Sequence, residues 1–147
     1  MRVSWLAAIG VALLVAGVGL WVLRRTSDSP ERQVLAAAES MAAAARAHDP
    51  GGVLEHVSER FESPEVGGKQ ELRGYLLAEL LRGGMVEARL LEPRVEVRSA
   101  DEARLSGRLL LGRTSGGFDL GQRALDATFV REDGTWRVVR ARVEPVE

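Results

Sequence analysis

The feature that most constrains the fold of this chain is a change in the spacing of its apolar side chains near Gly84. Before this point apolar residues recur three and four positions apart, which is the spacing of one face of a helix. After it they alternate with polar residues, as Val95 and Val97 do among charged neighbours, which is the pattern of a half-buried strand. The sequence therefore predicts an α+β domain whose helices precede its sheet.

Three short turn-like segments divide the alternating region into four long strands. The segments read SADE, RTSGG and REDG, and each has the length of a hairpin connection. Strands joined by hairpins pair antiparallel with their neighbours in sequence. We therefore expect an antiparallel sheet of about four strands, the middle two covering Glu102 to Gly112 and Leu120 to Val130.

Three helices are predicted ahead of the sheet. The first is capped by Ser29, has a proline at its first position and runs to about Ala47. The second is short, is capped by Asp49 and has an apolar side that extends to Val57. The third covers about Lys69 to Leu81 and stops at a glycine pair.

An uncharged segment of nineteen residues, Trp5 to Leu23, precedes the domain. A helix of this length rises about 28 Å, close to the roughly 30 Å thickness of bilayer hydrocarbon. Trp5 and Trp21 stand at its two ends, where indole rings favour the headgroup region. The alternative is a cleaved signal peptide, whose apolar stretch is usually shorter. We expect a retained transmembrane anchor over residues 1–25, a linker over 26–30 and one domain over 31–147.

The charges that flank this segment do not decide its orientation. Arg2 and the amino terminus on one side nearly balance Arg24 and Arg25 on the other. Short-tailed bacterial anchors commonly send the following domain out of the cytoplasm. We therefore expect a single-pass protein of a bacterial inner membrane whose soluble domain is periplasmic.

Composition excludes several classes of function. The chain has no cysteine, so disulfides, thiolate nucleophiles and thiolate metal sites are absent. Its formal net charge is −1, whereas a nucleic-acid-binding domain presents a basic surface. No glycine-rich phosphate loop follows a strand. We therefore predict neither a cofactor, nor a metal site, nor a nucleic-acid partner.

Two segments of the chain resemble the nuclear transport factor 2-like superfamily. The stretch ARAHDPGGVLEHVSERF is similar to the corner between the first two helices of that family, and FVREDGTWRVVRARVEP resembles its final hairpin. The resemblance covers roughly Glu31 to Val146. It implies a strongly bent sheet wrapped around the helices as a cone, often with a cavity at the open end. The superfamily includes isomerases, dehydratases, cyclases and many non-catalytic domains, so the fold alone does not assign an activity.

Candidate site residues follow from what the catalytic members of that superfamily place in their cavities, a carboxylate base or a His–Asp pair with hydroxyl donors. The histidines, His48 and His56, lie at the helix corner and off the apolar side of the second helix. Tyr75 shares a face with leucines, which favours a core or cavity-lining ring. Phe129 lies on the predicted inward face of its strand, and Asp126 therefore points outward. Asp126 becomes a cavity residue, and the best candidate base, only if this face assignment is shifted by one residue.

Arginines on the predicted strands could bind phospholipid headgroups or an acidic partner, but glutamates are interspersed among them. This mixture favours cross-strand ion pairs on a solvated face. Two hypotheses for function follow. The first is a membrane-anchored, non-catalytic interaction or assembly domain of the cell envelope, acting as a homodimer or with an envelope protein. The alternative is a domain that binds a small lipophilic ligand, or an isomerase-like domain, with Tyr75, Asp126 and Phe129 as cavity residues.

Overall fold

The computed structural model describes residues 29–80, 82, 85–114 and 118–146, which form three helices and six strands. The helices are α1 (Pro30–Arg46), α2 (Pro50–Leu54) and α3 (Lys69–Leu80). The strands are β1 (Val57–Ser63), β2 (Gly67–Gly68), β3 (Met85–Val97), β4 (Glu102–Thr114), β5 (Phe118–Glu132) and β6 (Thr135–Pro145).

The first two helices begin where the capping residues predict. The Ser29 side chain accepts a hydrogen bond from the Arg32 backbone N–H at 3.3 Å, and Asp49 accepts one from the Gly52 N–H at 3.0 Å. Each cap is followed by a proline, which lacks the N–H that a first-turn residue would leave unpaired. These caps fix the points at which the chain enters both helices.

The four long strands pair antiparallel in sequence order, as the hairpin-sized connections predict. The sheet order is β2-β1-β6-β5-β4-β3. Across β4 and β5 the register pairs Leu105 with Ala127 and Leu109 with Arg123. Because side chains alternate along a strand, this register places one row of apolar residues from each strand on the same concave face.

The sheet contains two short strands beyond the four long antiparallel ones that the sequence predicts, and one of its pairings is parallel. Val57 does not continue the apolar side of α2 but begins β1, which pairs parallel to β6 with Val57 opposite Val138. The spacing of Val53, Leu54 and Val57 fits a helix equally well, so periodicity alone could not separate the two structures. Burial decides in favour of the strand, because Val57 and Phe61 are both buried against the sheet core.

The sheet is curved, and β-bulges contribute to the bend. Register shifts occur between Leu91 and Arg94 in β3 and opposite Thr128 and Phe129 in β5. A bulge bends its strand and increases the local twist. Gly107 of β4 lies under the first bulge, where an added Cβ would come within 3.1 Å of the Leu91 carbonyl oxygen.

The hydrophobic core lies between α1 and the concave face of the sheet. Val34 of α1 is fully buried, and Phe129 and Trp136 are almost so. The Trp136 Nε1–H donates to the Gln33 Oε1 at 2.8 Å, so the buried indole has a partner on α1. This contact fixes the start of α1 beside the β5–β6 turn.

The predicted anchor, Trp5 to Leu23, lies outside the described residues, as do the glycine pair after α3 and the last three residues of the RTSGG segment. Within the described part of the chain, no helix has both the length and the apolar character needed to cross a bilayer.

Candidate functional site

The candidate site is a cavity of about 450 Å³ inside the cone formed by the curved sheet and the helices. Its volume falls within the roughly 300 to 1,000 Å³ of small-molecule pockets. Strands β4, β5 and β6 form one wall and helices α1 and α3 the other. The lining is largely hydrocarbon, and its larger members include Met41, Leu72, Leu76, Leu105, Leu109 and Leu125.

Polar groups on the lining are Ser63, Glu65, Tyr75 and Arg123. Ser63, at the end of β1, and Glu65, in the turn that follows, belong to one polar corner of the cavity. Tyr75 belongs to α3 and is 56% exposed, so its ring lies where the cavity meets solvent rather than in the core. Arg123 is also exposed and stands at the far end of the inward row of β5. We call the part of the lining formed by these four residues the mouth.

Glu65 is held in place by three hydrogen bonds at the mouth. Its Oε2 accepts from the Ser63 hydroxyl at 2.8 Å, its Oε1 accepts from the Val143 backbone N–H at 3.3 Å, and its own N–H donates to the Ser63 Oγ at 3.3 Å. The hydrogen bond from Ser63 is the main cause that lowers the pKa of the Glu65 carboxyl below its usual value. Glu65 is therefore an ionised, positioned carboxylate rather than a proton donor near neutral pH.

The three candidate residues from the sequence occupy different places. Phe129 is buried and lines the cavity, and Tyr75 lines it at the mouth. Asp126 is not on the lining, because its strand neighbours Leu125 and Ala127 take the inward positions. Its carboxylate accepts two hydrogen bonds from the Arg104 guanidinium on the outer face, one of them from Nε at 2.8 Å. These bonds are the main cause that lowers the pKa of Asp126.

Neither histidine contributes to the cavity lining. His48 follows α1 with a positive φ of 56°, a conformation that ends the helix at the corner. His56 immediately precedes β1, and its carbonyl accepts from the Val138 N–H at 2.8 Å. Its ring lines a separate open depression that also includes Gln33 and Trp136. Among the residues that the structure describes, no group of three or more acidic or histidine side chains could hold a metal ion.

Sequence reasoning missed the mouth residues Ser63, Glu65 and Arg123. A signal existed for Arg123, because it precedes the inward Leu125 by two positions and so shares its face. Ser63 and Glu65 give no signal in the sequence, because Val57 fits the helical spacing before it and this conceals the strand that ends at Ser63.

The outer face of β3 to β6 carries ion pairs, as the interspersed charges of the sequence predict. Arg104 pairs with Asp126 across β4 and β5, and Arg108 reaches Glu92 at 2.7 Å across β3 and β4. These side chains are partly exposed, and such pairs stabilise a fold by about 1 kcal/mol or less. The outer face is thus a solvated, charge-balanced surface with short apolar side chains such as Ala124 between the charges.

Comparison with solved structures identifies the fold. A protein of Novosphingobium aromaticivorans described as a scytalone dehydratase is 14% identical, with a TM-score of 0.72 over 80% of this chain and 84% of that one. A Xanthomonas campestris protein described as a calcium/calmodulin dependent protein kinase II association domain is 16% identical, with a TM-score of 0.71 over 82% of this chain and 90% of that one. A Streptomyces avermitilis protein described as a dehydratase of the nuclear transport factor 2-like family is 14% identical, with a TM-score of 0.72 over 81% of this chain and 99% of that one.

The chain therefore has the nuclear transport factor 2-like, or cystatin-like, fold. No protein-family model and no curated protein sequence matches it. At these identities the likeness defines the architecture, and structures with this architecture include both dehydratases and association domains.

Proposed function

We propose that this chain is a non-catalytic binding domain that holds a small lipophilic molecule inside its cone. The observation that carries the proposal is the lining of the 450 Å³ cavity, which is hydrocarbon apart from the four polar residues of the mouth. Transfer of an apolar group from water to such a lining is favourable by about 25 cal/mol per Å² of buried apolar surface. Tyr75 and Phe129 are lining residues that such a ligand would contact.

The placement of ionisable groups favours binding over catalysis. General acid–base catalysis needs a proton-transfer group within hydrogen-bond reach of the substrate, with a pKa near the working pH. Glu65 is the one carboxylate among the described lining residues. Its pKa is lowered, which moves it away from neutral pH. The dehydratases among the similar structures share the architecture, but their activity is not part of this proposal.

We further propose that residues 5–23 anchor the domain in a bacterial inner membrane with the cone in the periplasm. The length of the apolar segment and its terminal tryptophans support this. Helix α1 begins at Pro30, and its Gln33 contacts Trp136 at the β5–β6 turn. Arg131 of β5 is opposite Trp136 in the strand register. Arg123, at the mouth, precedes Arg131 by eight residues, which is roughly 26 Å along the strand. The mouth would therefore open on the side away from the anchoring membrane.

The binding proposal is tested with the full-length protein in phosphatidylcholine nanodiscs and a long-chain alcohol that carries a photoactivatable diazirine. After irradiation, mass spectrometry locates the labelled peptides. We expect saturable labelling of peptides from β4 and β5 that include Leu105, Leu109 and Leu125. Labelling confined to residues 5–23, or labelling of β4 and β5 that does not saturate, would contradict the proposal.

A second candidate function is assembly, either of two copies of this chain or with another envelope protein. The likeness to a protein described as an association domain favours it. The test uses two differently tagged full-length copies produced in the same cells. Recovery of one tag with the other after purification supports a homodimer, and recovery of single-tagged protein alone at all expression levels contradicts it.

A further inference from the structure

Arg123 is a cation placed on the inner wall of an apolar cavity. It belongs to the row of β5 that includes Leu125, Ala127 and Phe129, all of which line the cavity. It is opposite Leu109 of β4, another lining residue. The guanidinium therefore stands at the outer end of a hydrocarbon wall, at the mouth.

The charge of Arg123 is not neutralised by the described part of the protein. Most described arginines on the outer face of the neighbouring strands have a carboxylate partner, as Arg104 has Asp126 and Arg108 has Glu92. No described carboxylate forms an ion pair with Arg123. Among the described residues of the lining it is also the one positively charged side chain.

Glu65, the carboxylate of the mouth, does not form an ion pair with Arg123. Both carboxylate oxygens of Glu65 already accept hydrogen bonds, from Ser63 and from the Val143 backbone. The cation that contributes to lowering the pKa of Glu65 is Arg142, which belongs to the outward row of β6. The mouth thus holds a guanidinium with no ion-pair partner among the described residues, and a carboxylate whose two oxygens accept hydrogen bonds from other groups.

We propose that the ligand of the cone is a single-chain amphiphile with an anionic head group, bound with its hydrocarbon chain inside and its head group on Arg123. This inference rests on the proposed binding function and adds the chemical class and the orientation of the ligand. A guanidinium binds carboxylates and phosphates through paired N–H donors. The reverse orientation would bury the anion among leucines without donors, which is strongly unfavourable.

The experiment compares two photoactivatable probes of the same chain length, a fatty acid and the corresponding fatty alcohol, on the full-length protein in phosphatidylcholine nanodiscs. The quantity measured is the concentration that half-saturates labelling of the β4 and β5 peptides. Arg123→Gln should raise this value about tenfold for the acid, since a hydrogen bond to a charged group at a partly exposed site contributes at this level. The value for the alcohol should change less than twofold.

Four further measurements keep the result specific. Arg94→Gln removes an equal charge from the outer row of β3 and should leave both probes within twofold of wild type. Arg123→Lys retains the cation and should recover part of the affinity for the acid. Each added methylene should strengthen binding of the acid about fourfold until the cavity is filled, when binding is referred to the free aqueous concentration of the probe rather than to the total that includes probe in the bilayer. Competition by unlabelled fatty acid and by lysophosphatidic acid distinguishes a carboxylate from a phosphate head group.

The outcomes separate this inference from the proposed function. Saturable labelling by both probes with no effect of Arg123→Gln on the acid overturns the inference and leaves the binding function standing. An equal loss for acid and alcohol also overturns it, since that result indicates a damaged cavity rather than a lost head-group contact. Failure of both probes to label the cone overturns the binding function itself.

Discussion

Arg104 of β4 and Asp126 of β5 form a two-point ion pair on the convex face of the sheet, while their chain neighbours Leu105 and Leu125 line the cavity on the other face. The two faces of the same strands therefore have different chemistry, and the alternation of side chains is what separates them. The charged pair belongs to the solvated face and the apolar pair to the site. Any change of register by one residue would exchange them.

Replacing Asp126 by Asn should lower the free energy of unfolding by about 0.5 to 1 kcal/mol at neutral pH, because the pair is partly exposed. The pKa of Asp126 is lowered in the folded protein. The carboxylate therefore stabilises the fold at pH values above the pKa of Asp in the unfolded chain, about 3.9. This stabilisation is lost as the pH falls through the pKa of the folded protein. The free energies of unfolding of wild type and variant, measured with urea, should differ by a constant amount from pH 5 to 8. The difference should shrink as the pH falls below about 4. A difference that persists unchanged at pH 2.5 would contradict the assignment.

The outer face and the general architecture were accessible to sequence reasoning, and the mouth was not. Alternation and hairpin spacing place Asp126 outward and Phe129 inward without any structure, because both rules are local. Strand β1 was missed because Val57 fits helical spacing and its pairing with β6 joins residues about eighty positions apart. The cavity lining then combines that strand with α3 and β5. Such a combination depends on long-range packing, which a single sequence does not encode in its periodicity.

Gly107 should be sensitive to the addition of a single methyl group. Its Cβ position lies 3.1 Å from the Leu91 carbonyl oxygen and 3.1 Å from the Leu90 Cδ1, and one of these neighbours is backbone. We expect Gly107→Ala to destabilise the fold by about 1 to 3 kcal/mol through overpacking beneath the β3 bulge. Differential scanning calorimetry measures this as a lower melting temperature.

Gly121→Ala is the matched control for this substitution. Gly121 lies on the next strand, and the nearest atom to its added Cβ is the Leu111 carbonyl oxygen at 4.0 Å. The control should leave the melting temperature unchanged or raise it slightly, since alanine reduces the freedom of the unfolded chain. Equal melting temperatures for the two variants would show that the bulge does not contact Gly107 in this way.

The hydrogen bond between Trp136 and Gln33 should stabilise the end of the cone opposite the mouth. Trp136 is 4% exposed, so Gln33→Met leaves its indole N–H buried without this acceptor. The expected loss is about 1 to 3 kcal/mol of unfolding free energy, measured by urea denaturation. Gln122→Met on the exposed outer row of β5 is the control and should change stability by less than about 0.5 kcal/mol. If the two variants unfold alike, the hydrogen bond contributes nothing to the fold.

Adjacent leucines on β4 provide a direct test of which face binds the ligand. Leu109 lines the cavity, whereas Leu110 pairs with Gln122 on the outer row. Leu109→Trp inserts a large ring into the cavity and should raise the half-saturating concentration of both the fatty acid and the fatty alcohol at least tenfold. The physical reason is occupied volume, so head-group chemistry should not matter, in contrast to Arg123→Gln.

Leu110→Trp adds the same bulk to the same strand but on the convex face, and both probes should stay within twofold of wild type. Melting temperatures of the two variants establish that each is folded before labelling is compared. If Leu109→Trp is folded and labels as efficiently as Leu110→Trp, the probes bind elsewhere on the molecule. Stronger interference from Leu110→Trp than from Leu109→Trp would instead place the lipophilic site on the outer sheet face, since two side chains one residue apart on a strand have no other reason to act so differently.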